Sequence, residues 1–95
     1  MLRFHYKSRL AAEGVGYDRQ FYIYSVSRSY RLLSPDQRAA IDELCEHVGG
    51  ENADALKAFL TSDRGVHSIA LRYYISESTL NRMIKRYYLG FPKYI

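Results

Sequence analysis

The 95-residue sequence predicts a single all-α domain spanning residues 1–95, a small bundle of four to five helices with a helix-turn-helix at its C-terminal end. Two observations lead to this fold class. Apolar residues recur at the spacing of three and four that forms one face of a helix. Residues that begin or end helices stand at the ends of these stretches. The length leaves no room for a second core.

The first third of the chain gives the weakest pattern. Gly14 and Gly16 predict a break, so residues 1–17 are expected to form a flexible arm or a short helix. Residues 18–33 contain a Phe-Tyr-Ile-Tyr stretch of strand-like composition. Their length and one helical stripe nevertheless favour a helix. This stripe consists of Tyr22, Val26, Tyr30 and Leu33.

The next helix has a clear start and a clear end. Ser34 is a predicted N-cap, Pro35 suits the first helical position, and Gln37 completes a capping box. Gly49 and Gly50 predict the end of this helix. Its apolar stripe consists of Ile41, Leu44, Cys45 and Val48.

Three shorter helices are predicted in the second half of the chain. Asn52 is expected to cap the first of them. Its apolar face consists of Ala55, Leu56, Phe59 and Leu60. After a connection over residues 61–65, helices are predicted over 66–74 and 77–89. The apolar tail side chains Phe91, Tyr94 and Ile95 are expected to pack back on the domain.

Residues 66–89 meet the requirements of a helix-turn-helix. Ala70 is small enough for two helices to cross closely, and Ser76 can cap the second helix. The predicted inner faces consist of Ile69, Tyr73, Ile75, Leu80, Met83 and Ile84. The outer face of the second helix is polar, as entry into the major groove requires. The alternative is that this segment is an ordinary αα-hairpin within a bundle.

The stretch Ile-Ser-Glu-Ser-Thr-Leu-Asn-Arg-Met-Ile-Lys-Arg-Tyr over residues 75–87 resembles the helix-turn-helix of homeodomain-like and sigma-region-4-like proteins. It looks most like the versions in transposase N-terminal domains and small phage transcription regulators. The resemblance covers about a third of the chain. It implies a DNA-binding protein, a transcriptional regulator of phage or mobile-element type that reads the major groove with helix 77–89.

One residue departs from the pattern of these motifs. Tyr74 stands in the turn where many of them have glycine, at a position that often needs a positive φ. Either the turn is built differently in this chain, or the motif is a structural relic.

The resemblance and the chemistry of the side chains together assign DNA contacts. Asn can bond adenine and Arg can bond guanine with two hydrogen bonds each. Asn81 and Arg82 are therefore predicted to contact base edges, with Ser78 beside them. Predicted phosphate contacts are Arg72, Thr79, Lys85, Arg86 and Lys93.

Charge is sorted along the chain into three blocks. Residues 1–33 carry a net charge of +4, residues 34–63 carry −5, and residues 64–95 carry +5. The basic blocks suit double-stranded DNA, or they are solvated surface that pairs with the acidic block. An alternative function is a protein-interaction module (an adaptor, inhibitor or assembly protein) that docks a protein partner through the acidic face 36–54. A homodimer formed through the tyrosines of helix 18–33 is also predicted, because dimers reach two half-sites.

No enzyme is predicted, and no catalytic residue, cofactor or metal site is assigned. Cys45 and His47 lie two residues apart on different faces of one predicted helix, so they cannot readily hold one metal ion. Cys45 is expected in the core, and a lone cysteine fits the reducing cytoplasm. Neither a membrane span nor a secretory signal is expected, since apolar runs are short.

Overall fold

The computed structural model describes residues 4–95, and this part of the chain is helical with no strand. The predicted all-α bundle is confirmed. Six α-helices follow one another, with short 3-10 turns at Tyr30–Leu32 and Gly50–Asn52. The helices are α1 (Ser8–Ala12), α2 (Tyr17–Arg28), α3 (Pro35–Gly49), α4 (Ala53–Leu60), α5 (Val66–Arg72) and α6 (Glu77–Gly90).

Helix α1 lies in the stretch predicted to be an arm or a short helix, and the structure shows the helix over part of it. Residues 1–3 of that stretch lie outside the described residues. Leu10 of α1 is buried in the core. The buried side chain of Gln20 accepts a hydrogen bond from the Lys7 amide and donates to the carbonyls of Lys7 and Val15. These bonds join α2 to the backbone at Lys7 and Val15, in the segment that precedes it.

Helix α2 is predicted correctly as a helix, and three residues of the predicted stripe, Val26, Tyr30 and Leu33, pack half-buried against the core, but the fully buried side chains are others. The buried side chains are Gln20, Ile23 and Ser27. Tyr22 is 41% exposed. Two of the three buried residues are polar and are hydrogen-bonded, so a search for apolar spacing cannot detect this face.

Helix α3 begins and ends as predicted. The Ser34 hydroxyl accepts from the Gln37 amide, and the Gln37 side chain accepts from the Ser34 amide. Gly50, with φ of +55°, follows the helix in a conformation that favours glycine. Ile41 and Cys45 of the predicted stripe are fully buried.

Helix α4 follows Asn52, but the Asn52 side chain makes no capping hydrogen bond. The predicted capping hydrogen bond is therefore wrong, although Asn52 does stand at the N-cap position as predicted. The 3-10 turn Gly50–Asn52 runs directly into α4. Ala55, Leu56 and Leu60 bury the predicted apolar face, with Phe59 half-buried.

A polar triad holds the first 3-10 turn against α3 and α4. The Tyr30 hydroxyl donates to the Asp42 carboxylate at 2.8 Å, and the Lys57 ammonium contacts both side chains. Burial raises the pKa of Asp42, but the hydrogen bonds from Lys57 and Tyr30 outweigh it and leave the pKa below its ordinary value. Asp42 is thus used inside the domain, whereas the acidic residues exposed around it are Asp36, Glu43, Glu46, Glu51 and Asp54.

Helix α6 lies at the centre of the core. It contacts α5, α4, α3 and α1. Its buried face consists of Leu80, Met83, Ile84 and Tyr87. The other face is therefore held outward by apolar packing on several sides.

The C-terminal tail packs back on the domain, as predicted, for two of its three apolar residues, and its partner is α2. Phe91 and Ile95 are buried, but Tyr94 is 84% exposed. The Arg19 guanidinium donates to the carbonyls of Phe91 and Pro92 at 3.3 and 3.1 Å. The Tyr22 hydroxyl donates to the Ile95 carbonyl, which explains why Tyr22 is turned away from the core.

Candidate nucleic-acid interface

Helices α5 and α6 pack on each other and are joined by the four residues 73–76; residues 66–90 are called the α5–α6 hairpin below. Of the predicted inner-face residues, Ile69, Leu80, Met83 and Ile84 are buried, and Ile75 is half-buried. Ala70 is buried at the position predicted for the close approach. Tyr73 is predicted to lie inside but is 37% exposed; it is the C-cap residue that follows the last residue of α5, Arg72, two residues before the predicted end of this helix.

The turn contains a strained backbone position at Tyr74. Its φ is +57°, and it is the one non-glycine residue with positive φ in the described part of the chain. The Tyr74 amide donates to the Leu71 carbonyl, and the Ile75 amide donates to the Ala70 carbonyl at 3.0 Å. These two bonds form the Schellman motif that usually has glycine at the position of Tyr74.

Tyr74 therefore adopts the conformation for which related turns use glycine. The turn is therefore not built differently in this chain, because Tyr74 itself takes the positive φ that the motif needs. A left-handed conformation costs an L-residue about 1–2 kcal/mol. The Tyr74 side chain is 95% exposed, so no packing of its ring offsets this cost within the domain.

The start of α6 is fixed by the predicted cap. The Ser76 hydroxyl accepts from the Thr79 amide at 3.1 Å and lies 2.8 Å from the Thr79 hydroxyl. Glu77, in the first turn, pairs with the exposed His67 of α5 at 2.8 Å. This contact between residues ten apart was not predicted, and an exposed contact of this kind contributes little to stability.

The outward face of α6 carries the predicted base contacts Ser78, Asn81 and Arg82, together with the predicted phosphate contact Lys85. All four side chains are exposed. Their spacing places them along one side of the helix, opposite the buried Leu80, Met83 and Ile84. Each can therefore reach a groove or a partner without any change in the core.

Three of these side chains have contacts within the molecule. The Ser78 hydroxyl lies 3.2 Å from the Ser76 hydroxyl. The Arg82 guanidinium lies 3.4 Å from the Thr79 hydroxyl, which is a long hydrogen bond. The Lys85 ammonium pairs with the Glu13 carboxylate at 2.7 Å, with both side chains about half exposed. A phosphate at Lys85 would have to compete with Glu13, a partner that no local pattern in the sequence predicts.

The predicted phosphate contacts lie in different surroundings. Arg72 ends α5 beside the turn, and Lys93 stands in the tail, both exposed. Arg86 is exposed too, but it lies at a shallow groove beside the end of α3. Thr79 is half-buried, and its hydroxyl is held by Ser76, so it is the least accessible of the set. Three of the four basic residues predicted to contact phosphate thus lie on the α5–α6 hairpin, and Lys93 lies in the tail.

The only soft-ligand cluster of the sequence divides between the core and the surface. Cys45 is 2% exposed, and burial raises its pKa to about 12, so the thiol stays protonated. His47 is exposed. In the part of the chain that the structure describes, no three His, Cys, Asp or Glu side chains come together as metal ligands. Nor is any helix among these residues long and apolar enough to cross a bilayer.

The hairpin's resemblance to known helix-turn-helix proteins rests on its residues. Comparison of the chain with protein-family models, with curated proteins and with solved structures finds no match.

Proposed function

We propose that this chain binds double-stranded DNA and acts as a transcriptional regulator that reads the major groove with α6. The observation that carries this proposal is the division of α6 into two faces. One face is buried on several helices, whereas the other presents Ser78, Asn81, Arg82 and Lys85 to solvent. A recognition helix needs both a rigid support and a polar, basic outer face.

Charge around the hairpin supports the same function. Residues 64–95 carry six basic side chains and one acidic side chain, Glu77. Arg72, Arg82 and Arg86 are exposed on or beside the two helices. Arginine forms paired hydrogen bonds with guanine edges and with phosphates. The Schellman turn at Tyr74 adds the backbone geometry that such motifs usually build with glycine.

The first test is a fluorescence-anisotropy titration of the protein into a labelled duplex of mixed sequence, at about 50 mM and about 200 mM salt. We expect affinity to fall steeply between the two, because each neutralised phosphate releases counterions. Arg72→Ala or Arg86→Ala should each reduce the log-log slope by about one. Arg31→Ala is the matched control, since Arg31 is an exposed arginine outside the hairpin.

Base reading needs a second measurement, a selection from a random duplex library. Arg82→Ala and Asn81→Ala should lose discrimination among sequences, by about 1–3 kcal/mol for each lost pair of base contacts. Their affinity for mixed-sequence DNA should change less than that of the phosphate-contact variants. A wild type with no salt-dependent affinity for any duplex would refute the DNA-binding proposal.

The alternative function, a protein-interaction module, is favoured by two apolar side chains on the hairpin surface. Leu71 is 70% exposed, and Tyr74, three residues later in the chain, is 95% exposed. Exposed residues of this kind are typical of protein contacts when they cluster. The acidic residues exposed on α3 and around α4 would give such a module a second docking face. The salt titration distinguishes the two functions.

Self-association is part of the proposal. Tyr17 and Phe21 of α2 pack against Phe4 with ring centroids 5.6 and 5.3 Å apart, yet both remain partly exposed. Tyr6 extends the same aromatic surface. Aromatic side chains of this type are enriched at interfaces, and a dimer would present two recognition helices to two half-sites. A strict monomer in sedimentation at high micromolar concentration, with and without DNA, would argue against a dimer.

A further inference from the structure

A cavity of about 280 Å³ lies between α2, the α4–α5 connection and the hairpin. Its apolar walls come from Phe59, Leu60, Val66 and Ile84. Leu60 and Ile84 are buried, so this part of the cavity is enclosed by core side chains. An apolar cavity of about 150 Å³ is enough to hold a benzene ring. The size therefore suits one ring with a short substituent.

The polar lining is mainly basic. Lys7, Arg28 and Arg64 contribute positive charge, and Asp63 is the one acidic residue of the lining. Asp63 is itself paired with one terminal nitrogen of Arg28. The remaining charge favours an anion.

The Arg28 guanidinium lines the cavity, and Asp63 pairs with one of its terminal nitrogens. Its Nε is buried and has no accessible surface, so an occupant would meet the other terminal nitrogen instead. A carboxylate there would accept a charge-assisted hydrogen bond, which is about twice as strong as a neutral one.

We propose that this cavity binds a small aromatic carboxylate, with its ring against Phe59, Val66 and Ile84 and its carboxylate on Arg28. Tyr24 and Tyr88 add ring edges to the lining. Burial raises the pKa of Tyr88 to about 12, so its hydroxyl stays neutral and does not repel an anion. The site does not depend on the DNA-binding proposal.

The position of the cavity also links it to the hairpin. Gly65 and Val66 line it at the start of α5, whereas Ile84 and Tyr88 line it from α6. An occupant would contact both helices, so it would favour one arrangement of α6 relative to α5. This second step, control of DNA affinity by the carboxylate, rests on the proposed function.

Binding is tested by NMR titration of the isotope-labelled chain with phenylacetate, phenylacetamide and inorganic phosphate. Ligands this small bind in the millimolar to high micromolar range. We expect saturable shifts at the amides of residues lining the cavity with phenylacetate. The amide, which lacks the charge, and phosphate, which lacks the ring, should each bind at least about tenfold more weakly.

Three variants place the ligand. Arg28→Gln should weaken phenylacetate binding at least about tenfold. Arg31→Gln, an exposed arginine away from the cavity, should leave it unchanged. Val66→Phe fills the cavity from a half-buried position and should abolish binding while the fold, judged by the remaining amide spectrum, is kept. This variant decides the matter if Arg28→Gln does not fold.

Several results would overturn the site. Equal binding of acid and amide would leave an apolar cavity without anion recognition, and equal binding of phosphate would leave a simple anion contact. Retained binding in Val66→Phe, or no saturable shift at all, would place no ligand there. Saturating phenylacetate should also change duplex affinity at least about fivefold in the wild type but not in Val66→Phe. Phenylacetate binding without any DNA affinity would refute the proposed function alone, and unchanged DNA affinity would refute the coupling alone.

Discussion

The N-terminal region of residues 4–33 and the α5–α6 hairpin are buried by different means. The hairpin uses apolar side chains, with Leu80 and Ile84 fully enclosed between helices. The N-terminal region buries Leu10, Val15 and Ile23, but it also buries two polar side chains, Gln20 and Ser27, and hydrogen bonds satisfy both. An apolar stripe is visible in the sequence, whereas a polar residue reveals its burial only through partners elsewhere in the chain.

In the hairpin, one residue takes a backbone conformation that its own residue type disfavours. Tyr74 occupies a left-handed position that local preference assigns to glycine. In the N-terminal region the conflict lies in the buried face, and in the hairpin it lies in a single exposed turn. Natural sequences tend to violate local rules at sites with a function, which directs attention to the surface around Tyr74.

The largest loss of stability should come from truncating a buried apolar residue of the hairpin. Leu80→Ala is expected to lower the free energy of unfolding by about 2–5 kcal/mol, because it leaves a cavity between α6 and its neighbours. Leu71→Ala is the matched control. Leu71 is 70% exposed, and its truncation should cost no more than about 0.5 kcal/mol. Urea denaturation measures both, and equal losses would show that Leu80 is not a core residue.

In the N-terminal region, removing the hydrogen bonds of a buried polar side chain should lower stability even when the size of that side chain is kept. Gln20→Met keeps the size of the side chain but loses the bonds to the Lys7 amide and to the carbonyls of Lys7 and Val15. We expect a loss of about 1–3 kcal/mol, although the substitution makes a buried position more apolar. Hydrogen exchange should increase first in residues 7–15.

Gln37→Met is the control for Gln20→Met, because the Gln37 side chain accepts its bond at an exposed helix start. It should cost less than about 1 kcal/mol. If Gln20→Met proved as stable as the wild type, the hydrogen bonds of Gln20 would not be what holds the N-terminal segment in place.

The sequence predicted the fold class, the position of α3 with its capping box, and the apolar contacts of the hairpin. Each of these depends on residues close together in the chain, such as Ser34 with Gln37. The buried face of α2 and the Glu13–Lys85 pair could not be predicted. Both depend on residues brought together from distant positions, and Lys85 gives no local sign that an acidic group lies 2.7 Å away. The cavity is likewise formed by segments far apart in the chain.

An effect of about the same size as that of Gln20→Met is expected where the two regions meet, at the buried contact between Ser27 and Tyr87. Their hydroxyl oxygens lie 2.7 Å apart, and Ser27 donates its single proton to the Ile23 carbonyl. Tyr87 must therefore be the donor to Ser27. Ser27→Ala leaves a buried donor without an acceptor, whereas Tyr87→Phe removes that donor.

We therefore expect an asymmetric pair of losses: about 1–3 kcal/mol for Ser27→Ala and less than about 1.5 kcal/mol for Tyr87→Phe. The double variant should be more stable than the sum of the single losses predicts. Thermal or urea unfolding of the four proteins gives the complete cycle. Equal single losses, or strict additivity, would contradict the assigned direction of the bond.

The smallest effect is expected at Tyr74 of the hairpin, and it should be a gain of stability rather than a loss. Tyr74→Gly removes a left-handed L-residue that costs about 1–2 kcal/mol, but glycine gains conformational freedom in the unfolded chain, which offsets about 0.5–1 kcal/mol. A net gain of about 0.5–1 kcal/mol remains, because the exposed ring of Tyr74 has no packing to lose.

Tyr74→Ala is the matched control, since it removes the same ring and keeps the strain. The glycine variant should unfold at a higher temperature than the alanine variant. In a domain of this size, each 1 kcal/mol gained raises the unfolding temperature by about 4–8 °C. If the two variants unfolded together, the turn would have relaxed away from positive φ, and the conflict between the local preference of Tyr74 and its place in the hairpin would disappear.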